Sequence, residues 1–234
     1  MSNVNSVHTS DPAGREAAGT RRRDFLKTGI GWAGAAAVAM TAPRWLRAAD
    51  APGKPVWQVQ ETAFAGVWRV QHVDPRGRIL DDILEAGDMP VVVRESARKA
   101  SGARLDATQL PEGVMNAPAL VNEIRHHSRL HRDGQPAHVL NLSLLPLAPA
   151  DHEALDQQLG DGTVAILSRG FGNCRINSTR VRAVWRVRYT NSMNTLILDT
   201  IEIVDIPEAA RAAQDDYDDS MERLGDLLTW LREG

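Results

Sequence analysis

Between positions 181 and 189 apolar and polar side chains alternate. Val181, Ala183, Trp185, Val187 and Tyr189 oppose the polar Arg182, Arg186 and Arg188. A period of two predicts a half-buried strand. Asn191-Ser192-Met193-Asn194 interrupts it, and residues 195–203 return as a second strand, so the segment reads as a β-hairpin. Upstream the period lengthens. Leu120, Val121, Ile124 and Leu130 predict a helix over 118–130, "HVLNLSLL" at 138–145 a buried strand, and 149–159 a helix entered through Pro149 with Asp151 and Glu153 in its first turn. Gly160 stops that helix. Residues 163–167 form another strand, and "SRGFGNC" turns the chain into the hairpin. After Pro207, Ala210, Ala213, Tyr217, Met221, Leu224, Leu228 and Leu231 fall on one stripe of a long helix. This order predicts an α+β fold: a mixed or antiparallel sheet with β-hairpins and helices packed on one face.

The hairpin occurs twice. "VWRVRYTNSMNTLILDTIEIVDIP" at 184–207 matches "VWRVQHVDPRGRILDDILEAGDMP" at 67–90 with a displacement of 117 and no gap. From 62 to 90, nine of 29 positions are identical to their counterparts: Thr62, Val67, Trp68, Arg69, Val70, Asp82, Glu85, Asp88 and Pro90. This is a partial internal duplication. Asp74-Pro75-Arg76-Gly77 has the residues of a type I turn. The same displacement assigns the front half of the first copy to about residues 1–59, so that copy is reduced to its hairpin. An isolated hairpin is marginal in water. Trp68 and Trp185 are therefore expected at equivalent buried positions of one shared sheet or two stacked ones. The organisation reads as an N-terminal segment 1–50, a partial repeat 56–97, a linker 98–117 and a complete unit 118–234.

Composition changes this picture at the N-terminus. Residues 1–49 hold seven Lys/Arg against three Asp/Glu, and the rest of the chain is acidic, with 20 against 27. An acidic body argues against sequence-independent nucleic-acid binding, so no nucleic-acid partner is expected. Arg22-Arg23-Asp24-Phe25-Leu26-Lys27 matches the twin-arginine pattern R-R-x-F-L-K, carried by Arg22, Arg23, Phe25, Leu26 and Lys27. The Ala/Gly-rich stretch 28–42 would span about 22 Å as a helix, short of a bilayer core of roughly 30 Å. It reads as a signal rather than an anchor, closed by the basic Arg44 and Arg47. Export through the Tat translocase to a periplasmic or membrane-associated site follows. The competing reading is a basic, Ala-rich amphipathic helix.

Candidate chemistry is sparse. The single cysteine, Cys174, excludes an internal disulfide and any four-cysteine centre within one chain. It reads as a small half-buried side chain, although Arg169 and Arg175 could favour a thiolate. Glu123, His127 and His131 fall at i, i+4 and i+8 of the predicted helix, a spacing able to hold zinc or nickel. A polar helix face turned to water explains the same residues. "DDYDD" at 215–219 reads as a solvated face, or as a dock for a basic peptide. No nucleotide fingerprint, Ser/His/Asp order, HExxH or Walker motif occurs, so no catalytic residue and no cofactor is implied. Three arginines within seven positions suggest a client-binding surface built from Arg182, Arg186 and Arg188 with Arg169, Gly170, Asn173 and Cys174 of the adjoining loop. That reading requires the helices to cover the tryptophan side of the sheet.

At "HVLNLSLLPLAPAD", "ILSRGFGNCRINSTRVRAVWRVRYTNSMNTLILDTIEIVDIPE" and "MNAPALVNEIRHH" the chain resembles the hydrogenase expression/formation family known as HupH, HyaF or HoxQ. The resemblance covers about residues 56–234. It implies a non-enzymatic maturation factor or chaperone for [NiFe]-hydrogenase. The partners it implies are the iron–sulfur small subunit or its precursor and other maturation proteins. It would place the chain in the cytoplasm, an alternative to the exported location. The other function open to this sequence is an exported binding protein or small metalloenzyme using the Glu123/His127/His131 cluster.

Overall fold

The computed structural model describes residues 37–38, 54–99, 103–170 and 172–233. Arg22, Arg23, Phe25, Leu26 and Lys27 lie outside them. The first sheet contains β1 (Ala37–Val38), β2 (Val56–Glu61), β3 (Val67–Val73) and β4 (Ile79–Ala86), in that order. A helix α1 (Val91–Arg98) follows, then α2 (Ala117–Leu130). The second sheet comprises β5 (His138–Asn141), β6 (Asp161–Gly170), β7 (Gly172–Thr179), β8 (Val184–Thr190) and β9 (Leu196–Ile203), ordered β5-β9-β8-β7-β6. Helix α3 (Pro149–Leu159) connects β5 to β6, and α4 (Gln214–Glu233) ends the chain. Neighbouring strands pair antiparallel throughout. The fold is α+β.

Two apolar cores determine the layers. Val59, Trp68 and Val70 of the first sheet join Val164, Ile166, Ile176, Trp185 and Val187 of the second in one buried cluster. The sheets therefore stack face to face, as in a sandwich. The opposite face of the second sheet offers Leu140, Val184, Ile201 and Ile203 to Leu120, Val121 and Ile124 of α2 and to Ala154, Leu155 and Leu159 of α3. Helices thus cover one face of the five-stranded sheet and the first sheet covers the other. Asp151 ties the helices together. Its buried carboxylate accepts from the backbone N–H of Met115, Asn116 and Ala117 at the entry of α2 and from Ala148 N at the entry of α3. Burial alone would raise its pKa, but these four donors hold it below the usual carboxylate value. Gly160 closes α3 with φ +55°, where a Cβ would collide with the Arg180 guanidinium.

The duplication extends to individual bonds. Asp74 Oδ1 accepts from Arg76 N and Arg78 N, with Gly77 at φ +81°. Asn191 Oδ1 accepts from Met193 N and Thr195 N, with Asn194 at φ +60°. Trp68 Nε1 donates to Gly87 O at 2.8 Å, and Trp185 Nε1 donates to Val204 O at 3.0 Å. Gly66 and Ala183 both take positive φ, and their carbonyls accept from Gly87 N and Val204 N. Every one of these pairs is separated by 117 positions. The two tryptophans occupy equivalent buried positions in stacked sheets, as the repeat predicts.

Several local readings change. The first copy keeps β2, counterpart of β7, in addition to its hairpin. Strand β8 begins at Val184 rather than 181, because left-handed Ala183 turns the chain before it. Residues 142–144 leave the predicted strand as a short 3-10 turn. Residues 103–116, expected as part of a linker, pack on the second unit: Leu105 is buried and Ala103 N donates to Arg180 O. The stripe on α4 is real as a pattern but largely uncovered. Ser220 is buried and its hydroxyl oxygen accepts from Ala65 N at 2.8 Å, and Arg223 lies over the Phe64 ring, whereas Met221, Leu228 and Leu231 stay exposed.

Candidate functional site

The arginine face is not open. Arg186 projects from β8 toward the helices, where it is buried. Its Nε and Nη2 donate to both carboxylate oxygens of Asp199 on β9 at 2.5 and 2.6 Å, and Nη1 reaches Asp156 of α3 at 3.2 Å. Arg188 Nη2 also donates to Asp156. Arg182, exposed, pairs with Asp133 at 3.2 Å. The tryptophan side packs on the other sheet, so the helices take the arginine side, the reverse of the expected layering. Replacing all three arginines would consequently disturb the fold.

The loop residues fare differently. Arg169 and Gly170 end β6, their backbones paired with Asn173 and Gly172 of β7. Asn173 is partly buried and its carbonyl accepts from Thr190 Oγ1. Cys174 lies in the core between the sheets. Burial pushes its thiol up to about 11, only partly offset by a hydrogen bond with Tyr189, so it is protonated at neutral pH. The structural reading of this cysteine is the one its surroundings support.

The first sheet presents what the second conceals. Arg69 pairs with Asp82 as Arg186 pairs with Asp199, but the side chains are 50% and 35% exposed instead of 8% and 5%. Leu84 is 71% exposed, whereas its counterpart Ile201 is fully buried beneath the helices. Strand β4 also has no neighbour beyond β3 among the described residues, whereas its counterpart β9 is flanked by β5. Ile79, Leu80 and Ile83 are exposed along that edge. An apolar sheet edge and face of this kind is a natural seat for another polypeptide.

The histidines rearrange. His131 caps the end of α2, buried, with Nε2 2.8 Å from Asp205 Oδ1, while Asp205 Oδ2 accepts from Gly134 N. Despite its burial, these partners hold the Asp205 carboxyl below its ordinary value. His131 therefore leaves the predicted triad. His138 of β5 replaces it: its ring stacks on His127 at 3.5 Å between centroids, and its Nε2 lies 2.9 Å from Glu123 Oε1. Helical spacing exposes Glu123 and His127 as a pair, but only the pairing of β5 with β9 brings His138 to them.

Comparison with known families settles the relationship. The family described as "HupH hydrogenase expression protein, C-terminal conserved region" matches residues 49–109 and 114–231. The chain belongs to the HupH hydrogenase expression family. The HupH match includes both hairpins, and the twin-arginine pattern precedes it. Among HupH relatives, the hydrogenase expression/formation protein HoxQ of Cupriavidus necator is 48% identical over 174 residues, covering 74% of this chain and 61% of its own. HupH of Rhizobium leguminosarum bv. viciae is 41% identical over 170 residues, covering 73% and 60%. The hydrogenase-1 operon protein HyaF of Escherichia coli is 37% identical over 179 residues, covering 75% and 61%. The chain thus spans about three fifths of the length of the curated relatives it matches. A solved HupH from Thiobacillus denitrificans aligns with a TM-score of 0.46 and 27% identity, covering 49% of this chain and 95% of that one.

Proposed function

We propose that this chain acts in hydrogenase maturation as a non-enzymatic chaperone, holding a polypeptide segment of a hydrogenase precursor on the open side of the first sheet. The relatives' names supply the hydrogenase context. The β4 edge, unpaired among the described residues, and its exposed Leu84 supply the seat. In the second unit the corresponding surface is filled by the helix α2, the strand β5 and the helix α3, with Asp156 reaching Arg186. A client segment of the same kind fits the first unit: an apolar strand adding to β4, with an amphipathic helix whose carboxylate meets Arg69. The client assigned is the iron–sulfur small subunit, in its precursor form.

The test is co-purification of that precursor with the full chain and with Leu80→Asp/Leu84→Asp. Both leucines are exposed, so the melting temperature should stay the same while recovered precursor falls at least about tenfold, the cost of placing charge in an apolar contact. Undiminished recovery sinks the reading. Self-association of the chain that disappears with the same pair would assign the edge to a second copy and also overturn it.

The twin-arginine pattern supports engagement with the Tat translocase and a periplasmic or membrane-associated destination. No helix among the described residues is long and apolar enough to cross a membrane. Fractionation is expected to place wild type outside the cytoplasm and Arg22→Lys/Arg23→Lys inside it. Identical cytoplasmic distributions would restore the cytoplasmic location that the maturation family suggests.

A further inference from the structure

We propose that Glu123, His127 and His138 form a binding site for one divalent transition-metal ion of the zinc class, on the surface shared by α2 and β5. One helical turn separates Glu123 from His127, and β5 supplies the third donor from an independent element. A carboxylate oxygen and two imidazole nitrogens lie within 4.8 Å of one another. Tetrahedral zinc, with bonds of about 2.0–2.2 Å, needs its ligand atoms about 3.3–3.5 Å apart. Glu123 and His138 are held 2.9 Å apart by a hydrogen bond, whose proton an incoming ion would displace. Ligation requires the two imidazoles, now stacked at 9°, to turn so that a nitrogen of each faces the ion, and partial exposure of all three residues leaves room for that turn.

The donor set suits ligation. Neither His127 nitrogen has a hydrogen-bond partner among the described residues; its contacts are the stacked ring of His138 and the edge-on ring of His126. A lone pair therefore stays available beside a carboxylate that balances the metal's charge. Two nitrogens and one oxygen suit zinc and its neighbours, whereas magnesium and calcium require oxygen sets. Three protein ligands at a solvent-facing position leave a fourth site for water or an exogenous group.

The other nearby cluster, His131, Asp133 and Asp205, lacks this freedom. Both Asp205 oxygens are bonded, to His131 and to Gly134 N, and Asp133 pairs with Arg98 and Arg182. It is a structural tie between the end of α2 and the exit of β9. The proposed metal site lies on the helix-covered side of the sandwich, away from the open first sheet, and the two can be lost independently.

Tag-free full-length chain would be titrated with Zn²⁺ against a chromophoric chelator, with Co²⁺ absorption as a second readout of the ligand set. One ion per chain is expected, with a Kd of about micromolar or tighter. His127→Ala and His138→Gln should each weaken binding by at least about a hundredfold, more than the usual loss of an outer-shell partner. The glutamine can keep the hydrogen bond to Glu123, so a loss in that variant reports ligation rather than folding. His126→Ala should bind as wild type does. Absence of Zn²⁺ binding at tens-of-micromolar protein (about tenfold above the expected Kd), or binding unchanged in His138→Gln, overturns the site.

Discussion

Arg186→Ala is expected to destabilise the fold by about 3–5 kcal/mol, while Arg69→Ala leaves the denaturation midpoint almost unmoved. The two arginines occupy the same place in the two copies, and each grips its aspartate through Nε and Nη2 across a hairpin. Geometry therefore predicts equal effects. Environment does not. Asp199 and Arg186 sit beneath α3 with side chains 5% and 8% exposed, and a second carboxylate, Asp156, leans on the same guanidinium. Truncating Arg186 strands the Asp199 carboxylate where water cannot solvate it, and that penalty dominates over the modest net value of the pair. Asp82, left alone, is hydrated and still accepts from Gln71 Nε2. Urea denaturation of both variants decides the matter. Equal losses would mean that the helices do not shield the second unit's ion pair. Adding Asp199→Asn to Arg186→Ala should recover part of the loss by removing the unpaired charge.

The same contrast explains what the sequence could convey. Alternation identified the hairpin strands, and the 117-residue displacement located both turns, because turn chemistry depends on one side-chain oxygen and one left-handed residue. Gly160 was legible for a similar local reason. The layer order was not. Strand β8 is buried at Val184, Trp185, Arg186 and Val187 in succession, since sheet and helices cover its two faces. An arginine in such a strand reads as polar and outward until its aspartates are seen around it. Helix α1 has no clear signature in the sequence, because "VVVRES" after Pro90 begins an eight-residue helix too short to show a sustained stripe. His138 joins Glu123 only through the β5–β9 pairing, which no spacing along the chain reports. On α4 the reverse holds: periodicity revealed an apolar stripe, but amphipathy does not say whether anything covers it.

Trp68→Ala and Trp185→Ala are each expected to cost about 3–5 kcal/mol, the range for truncating a large aromatic in a packed core. Both indoles are 1% exposed and belong to one cluster with Val59, Val70, Ile176 and Val187. Each also surrenders an Nε1 hydrogen bond to a backbone carbonyl, at Gly87 or Val204. The magnitude matters because it is comparable to a domain's whole margin of stability, about 5–15 kcal/mol. The decisive feature is where the damage is felt. The inner face of the first sheet is buried in one cluster with the second sheet and with Val93 of α1, so the two units share a core. A cavity at Trp68 should lower the melting of residues 118–233 as well as that of 54–99, giving one transition shifted as a whole. Tryptophan fluorescence and amide exchange resolved along the chain would register this as coincident loss of protection in both segments. Two transitions, with the second unit keeping its wild-type midpoint in Trp68→Ala, would show that the halves fold apart and that the shared core contributes little to either.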